Sequence, residues 1–144
     1  METSVQFDPH HLQLLSRTFE GLSENALSHI LQEGKKYQID PGEYLFRQGS
    51  HENTLYIVLS GRLRAVLEDH HGIHILGYIG VGEPVGEYAM FTNEPRMASV
   101  LAIRKTMVPE ITKETYFNIV SQNPAFASTL TRVLIKLINN NILE

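Results

Sequence analysis

Residues 86–100 read GEYAMFTNEPRMASV. A glycine and a glutamate open a short apolar run, an Asn-Glu-Pro turn follows, and an arginine then stands among small and apolar residues. Glu87 and Arg96 therefore flank one short loop inside an otherwise apolar stretch. Two readings fit. One is a solvent-exposed Glu87–Arg96 pair that closes the loop and adds little to stability. The other is a site for a ligand carrying both a hydroxyl and an anion. Gly80, Gly82 and Gly86 crowd the approach, and glycine lets the backbone come close to a ligand at positive φ. Glu87 to Phe91 is long enough for one helical turn, whose leading amides would face an anion. Arg96 can meet a phosphate with two parallel charge-assisted hydrogen bonds. A carboxylate near a phosphate is repelled unless it accepts a hydrogen bond, for instance from a sugar hydroxyl. Such a ligand describes a nucleotide, but the residues alone leave both readings open.

Composition sets the frame around this loop. The chain has 144 residues, enough for one domain with a real core. Hydrophobic residues make up 42% and charged residues 19%, which are globular values. Lys and Arg number 12 against 16 Asp and Glu, a formal charge of −4. That balance speaks against a nucleic-acid surface, which would carry a basic stripe. Without cysteine there is no disulfide, zinc–thiolate site or cysteine nucleophile. The polar start METSVQFDPHH and the lack of a long apolar run point to a cytoplasmic chain with no membrane span.

The chain divides into three parts. Residues 1–34 form an N-terminal helical segment, with Leu12, Leu15, Phe19, Leu22, Leu27, Ile30 and Leu31 at helical spacing. Ser23 before Glu24 reads as a helix start and Gly34 as a stop. Residues 35–112 change to short strands broken by glycine-rich turns, with candidates at 35–39, 43–47, 54–59, 62–69, 73–81, 97–103 and 107–111. Close, even spacing of strands predicts a rolled all-β unit. Pro109 places the last strand at an edge or a bulge. Residues 113–144 return to helix. In PAFASTLTRVLIKLINNNILE, Leu130, Leu134, Leu137 and Asn141 fall four, three and four apart, a heptad seam. Extra apolar positions at Val133, Ile135, Ile138 and Ile142 favour a helix 124–143 that packs on its own domain and on a second copy of the chain.

The stretch 86–100 resembles the phosphate-binding cassette of the cyclic nucleotide-binding domain family, approximately F-G-E-L-A-L-x-x-x-x-P-R-x-A-[ST]-[VI]. The match rests on Gly86, Glu87, Ala89, Pro95, Arg96, Ala98, Ser99 and Val100. Upstream, PGEYLFRQGSHENTLYIVLSGRLRA is similar to the family's glycine-punctuated strands, with Gly42, Gly49 and Gly61 in place. Downstream, ITKETYFNIVSQNPAF resembles the helices that follow the β-roll in catabolite-activator-type regulators. The resemblance implies a mainly β fold, a double-stranded β-helix or jelly-roll-like β-roll with N-terminal helices and a C-terminal helix pair. It implies that Glu87 accepts a hydrogen bond from the ribose 2′-hydroxyl and that Arg96 pairs with the cyclic phosphate. Backbone amides of Tyr88, Ala89 and Met97 would complete the anion cradle around Gly86, and Leu76 would touch the base. Asn141 either hydrogen-bonds the purine or fixes helix register.

Tyr88 departs from the family's leucine, and Ser50 stands where an acidic residue often follows the second glycine. Cyclic GMP-selective members often carry a threonine after the arginine. Met97 has no hydroxyl there, which favours cAMP as the ligand over cGMP. On this resemblance the chain is a regulatory sensor domain whose ligand repositions the C-terminal helix to control an effector beyond it, most simply in a bacterial transcription regulator. The alternative is a degenerate β-roll serving as a dimerisation or docking scaffold. No catalytic residue is assigned, since Glu87 has no partnered nucleophile or second acid. His70, His71 and His74 in EDHHGIH cluster in sequence, but the spacing fits no zinc pattern, and His71-Gly72 reads as a solvated hairpin tip.

Overall fold

The computed structural model describes residues 9–18, 24–33, 35–122 and 124. Asn141, the seam in 124–143, Gly34 and Ser23 lie outside the described residues, Pro124 apart. The N-terminal segment holds two helices, α1 (Pro9–Thr18) and α2 (Glu24–Glu33). Eight strands follow: β1 (Lys36–Ile39), β2 (Tyr44–Phe46), β3 (Leu55–Ile57), β4 (Leu63–Asp69), β5 (Gly72–Ile79), β6 (Pro84–Val85), β7 (Ser99–Ala102) and β8 (Thr106–Ile111). The short helix α3 (Glu87–Thr92) sits between β6 and β7, and α4 (Lys113–Gln122) follows β8. The strand expected over 73–81 ends at Ile79, and the two-residue β6 was not foreseen.

The strands form two antiparallel sheets, ordered β1-β8-β3-β6 and β2-β7-β4-β5. The mainly β fold read from the sequence is therefore the fold observed. One core joins the sheets: Ile39, Tyr56, Val58, Val85 and Val108 of the first meet Leu45, Phe46, Leu63, Ala65, Ile79, Val100 and Ala102 of the second. A second core lies on the other face of the first sheet, where Leu55, Ile57, Leu59 and Ile111 meet Leu15, Leu27, Leu31, Met90 and Tyr116 from the helices. The unbroken apolar run LYIVL follows from this arrangement. Successive strand residues point to opposite faces, and here both faces are covered.

Pro109 does not sit on an edge strand, because β8 runs between β1 and β3. Opposite β3 the register takes four steps from Tyr56 to Ser60 but three from Glu110 to Met107. The extra residue lies on the β3 side, between Tyr56 and Ser60, while β8 pairs with β1 in continuous register through Pro109, so the proline stands neither at an edge nor in a bulge of its own strand.

Candidate functional site

The loop between β6 and β7 turns on Gly86. Its φ of 90° lies in the left-handed region, and a Cβ there would come within 2.7 Å of Arg96 Nη1 and 2.9 Å of the Thr54 carbonyl oxygen. Only glycine fits both demands. Immediately after this turn α3 starts at Glu87, which is buried at 4% exposure. The helix ends at Asn93, whose φ is 60° and whose N–H caps the Ala89 carbonyl at 2.9 Å. Met90 points into the helix-side core, so the apolar face of α3 fixes how its first turn presents Glu87.

Arg96 is 2% exposed. Nη1 donates to the Gly86 carbonyl at 2.9 Å, and Nη2 donates to the Thr54 carbonyl at 2.9 Å and to its hydroxyl at 3.3 Å. The guanidinium carbon stands 4.1 Å from the centroid of the Phe46 ring. Its backbone is held as well: Gly49 N–H donates to the Arg96 carbonyl at 2.8 Å, and Arg96 N–H donates to the Ser50 carbonyl at 2.9 Å. Ser50 closes its own turn through a 2.8 Å bond from its hydroxyl to the Arg47 carbonyl. Next in the chain, the Ser99 hydroxyl accepts from Gln48 N–H at 2.8 Å, so the 47–50 turn is stitched to both ends of the cassette's last segment.

The solvent-exposed Glu87–Arg96 pair considered from sequence is corrected by this burial. Both charges lie inside the protein, where an ionised group is expensive unless polar partners surround it. The structure thus brings Gly86, Glu87, Ala89 and Arg96 into one buried cluster, with Tyr88 half-buried beside them. Met97 follows the arginine but is 47% exposed. Leu76 lies on β5, the outer strand of the second sheet, at 40% exposure. In the β4–β5 ladder Ala65 faces Gly77 and Val66 faces Ile75, so Leu76 is the extra residue of a bulge. Bulges re-aim side chains, often beside functional sites.

Two contributors escaped the sequence reading. Thr54 opens an apolar run and carried no signal beyond being a polar residue before a strand. Phe46 reads as ordinary core, and nothing in YLFRQG marks its ring as a platform for a cation 50 residues away in the chain.

The histidines lie elsewhere. His70 and His71 sit at the β4–β5 turn with ring centroids 4.0 Å apart, and the His74 ring meets Asp69 Oδ1 at 3.1 Å. His71 N–H donates to the same oxygen at 2.8 Å, and this bond chiefly holds the Asp69 carboxyl below its ordinary range. Among the described residues no group of three or more His, Cys, Asp or Glu is placed to hold a metal ion. No described helix is long and apolar enough to cross a membrane.

In the cassette-like stretch the structure sets a buried arginine, bonded to a glycine carbonyl, beside a buried glutamate that opens the adjoining helix. The model of the cyclic nucleotide-binding domain matches residues 36–123. The chain belongs to the cyclic nucleotide-binding domain family. Lysophospholipase nte1 of Aspergillus oryzae is 30% identical over 135 residues, 93% of this chain but 9% of that protein. The chain therefore spans a small fraction of the curated relatives it matches. Among solved structures, the Thermus thermophilus catabolite activator protein superposes with a TM-score of 0.76 at 26% identity, covering 85% of this chain and 58% of that one. The regulatory domain of Toxoplasma gondii PKA, crystallised with cAMP, superposes at 0.68 and 25% identity over 79% of this chain and 46% of that one. A cyclic nucleotide-binding domain is a regulatory module. The lysophospholipases are enzymes as whole proteins, and this chain matches only their 9%.

Proposed function

We propose that this chain senses cAMP as the regulatory domain of a larger signalling protein. The observation that carries the reading is the buried pairing of Arg96 with the Gly86 carbonyl beside buried Glu87. In this reading the β-roll from 35 to 112 holds the ligand. Arg96 meets the cyclic phosphate and Glu87 accepts from the ribose 2′-hydroxyl, while amides of Tyr88, Ala89 and Met97 line the anion. Leu76, on its bulge, supplies apolar contact to the base, and Asn141 either reaches the purine or sets register in helix 124–143. Met97 carries no hydroxyl for a guanine amino group, which supports cAMP over cGMP. Binding signals by differential affinity for two positions of the C-terminal helix, since a ligand shifts an equilibrium only by that difference. That helix also forms the homodimer, and nucleic-acid contact, if the whole protein makes any, lies beyond this segment. The effector is either a transcription regulator of the catabolite-activator kind or a lipid hydrolase of the kind the curated relatives are.

One observation favours a second reading. Arg96 already bonds two main-chain carbonyls and one hydroxyl, so it can serve as a structural tie in a scaffold β-roll without a nucleotide. Calorimetric titration of the chain with cAMP and with cGMP separates the two. Nucleotide binding that weakens by a few kcal/mol in Arg96→Ala, as expected when a charge loses its partner, supports the sensor. Silence from both nucleotides on a well-folded chain gives the scaffold.

A further inference from the structure

We propose that Phe46 is a positioning residue for Arg96: its ring face fixes the guanidinium plane in which that group meets an anionic ligand. The proposal deepens the nucleotide reading above and rests on it for the identity of the anion.

A guanidinium at 2% exposure must be oriented by what surrounds it. The carbonyls of Gly86 and Thr54 hold its edge, at 2.9 Å each. Hydrogen bonds to the edge of a planar group leave tilt about that edge weakly constrained. The Phe46 ring face restrains that tilt, with Cζ 4.1 Å from its centroid, well inside cation–π range. The ring itself is not free to follow the arginine. It is buried on β2 and stacks on Tyr56 of the opposite sheet, with centroids 6.3 Å apart and planes 30° apart. Tyr56 is pinned in turn: its hydroxyl donates to Glu110 at 3.2 Å, and Tyr37 meets it edge-on at 6.3 Å. An unbroken stack therefore runs from Glu110 on β8 through Tyr56 and Phe46 to Arg96. Both sheets of the roll hold the arginine's plane before any ligand arrives, so the ordering cost is met in folding rather than in binding.

The test uses the full chain, with three variants and two readouts. Phe46→Leu keeps an apolar side chain but has no ring face, Phe46→Tyr keeps the ring, and Val108→Ala opens space in the same core. In proton–nitrogen spectra of the ligand-free chain, the Arg96 Nε–H signal should be displaced upfield by the ring and should show cross-peaks to Phe46 ring protons. Phe46→Leu should abolish that displacement, while Phe46→Tyr and Val108→Ala keep it. In titrations with cAMP, Phe46→Leu should bind about tenfold more weakly, the scale of a buried cation–π contact. The other two variants should stay within about threefold of the parent. An undisplaced Arg96 signal in the parent overturns the proposal, and this measurement stands even if Phe46→Leu fails to fold. Equal loss of affinity in Phe46→Leu and Val108→Ala overturns it too, because that result reports core damage. A parent chain that binds no nucleotide yet shows the displaced signal defeats the nucleotide reading and leaves the positioning of Arg96 established.

Discussion

The Gly86 carbonyl accepts a hydrogen bond from Arg96 Nη1 at 2.9 Å, and a Cβ on Gly86 would fall 2.7 Å from that same nitrogen. The contact that orients the arginine therefore exists only because residue 86 has no side chain. Gly86→Ala must move the guanidinium and also hold alanine at a φ of 90°. Left-handed strain of this kind costs about 1–3 kcal/mol. Urea denaturation should show that loss, and titration should show cAMP binding weakened at least about tenfold. An alanine variant with unaltered affinity would mean the Gly86 contact does not set the arginine's place.

The hydroxyl of Tyr56 is buried against Glu110, and burial is the chief cause that pushes its pKa above the ordinary value of 10.0; the Glu110 charge adds to this and the Thr54 hydroxyl opposes it. The folded state thus keeps a proton that the unfolded chain releases above about pH 10. Stability must fall as pH rises from there, because the unfolded state binds fewer protons. Tyr37 and Tyr116 are raised in the same direction, so the slope is shared. Tyr56→Phe should cost about 1 kcal/mol at neutral pH, the value of one hydrogen bond, and should flatten the alkaline decline. Thermal melts from pH 7 to 11 read both. Because phenylalanine keeps the ring under Phe46, cAMP affinity at pH 7 should stay near the parent's.

What was legible in the sequence was chemistry and periodicity. Gly86, Glu87 and Arg96 stood out because charges and a glycine interrupt an apolar run, and the structure buries all three. Seven of the eight strands were legible from glycine-rich turns and close, even spacing, even β3, whose unbroken apolar run needs cover on both faces. Long-range geometry was not legible. Phe46 meets Arg96, and Thr54 meets the same guanidinium, only once two sheets close on each other. The two-residue β6 is too short to carry a period, and the interior place of β8 is set by its pairing with both β1 and β3, which a proline within the strand argues against.

Leu76 offers a test of ligand contact that is free of folding effects. As the extra residue of the β4–β5 bulge it faces no ladder partner, and it is 40% exposed. Leu76→Ala should change stability by no more than about 0.5 kcal/mol, as surface substitutions do. If the side chain covers a purine, the loss of apolar contact should weaken cAMP binding about fivefold, on the scale of ~25 cal/mol per Å² of covered area. Titration of cAMP against a non-purine cyclic nucleotide, cyclic UMP, checks the assignment: the effect of the variant should shrink with the smaller base. Equal weakening for both ligands would place Leu76 away from the base.

Gly61 separates roll integrity from ligand contact. Its φ is 93°, and a Cβ there would lie 2.4 Å from both the Lys105 carbonyl oxygen and the Thr106 hydroxyl. Neither neighbour can yield cheaply. The carbonyl belongs to the backbone, and the Thr106 hydroxyl is engaged, accepting from Arg62 N–H at 3.1 Å and donating to the Arg104 carbonyl at 2.8 Å. Gly61→Ala should therefore separate the turn before β4 from the turn before β8 and cost about 3 kcal/mol, from strain and a broken buried bond together. The melting temperature should drop by more than in Gly86→Ala, while the folded fraction keeps its affinity for cAMP, since nothing at Gly61 touches the arginine cage. A Gly61→Ala chain as stable as the parent would show that the β7–β8 turn yields easily, and the close approach of backbone at Gly61 would then have no part in holding the roll closed.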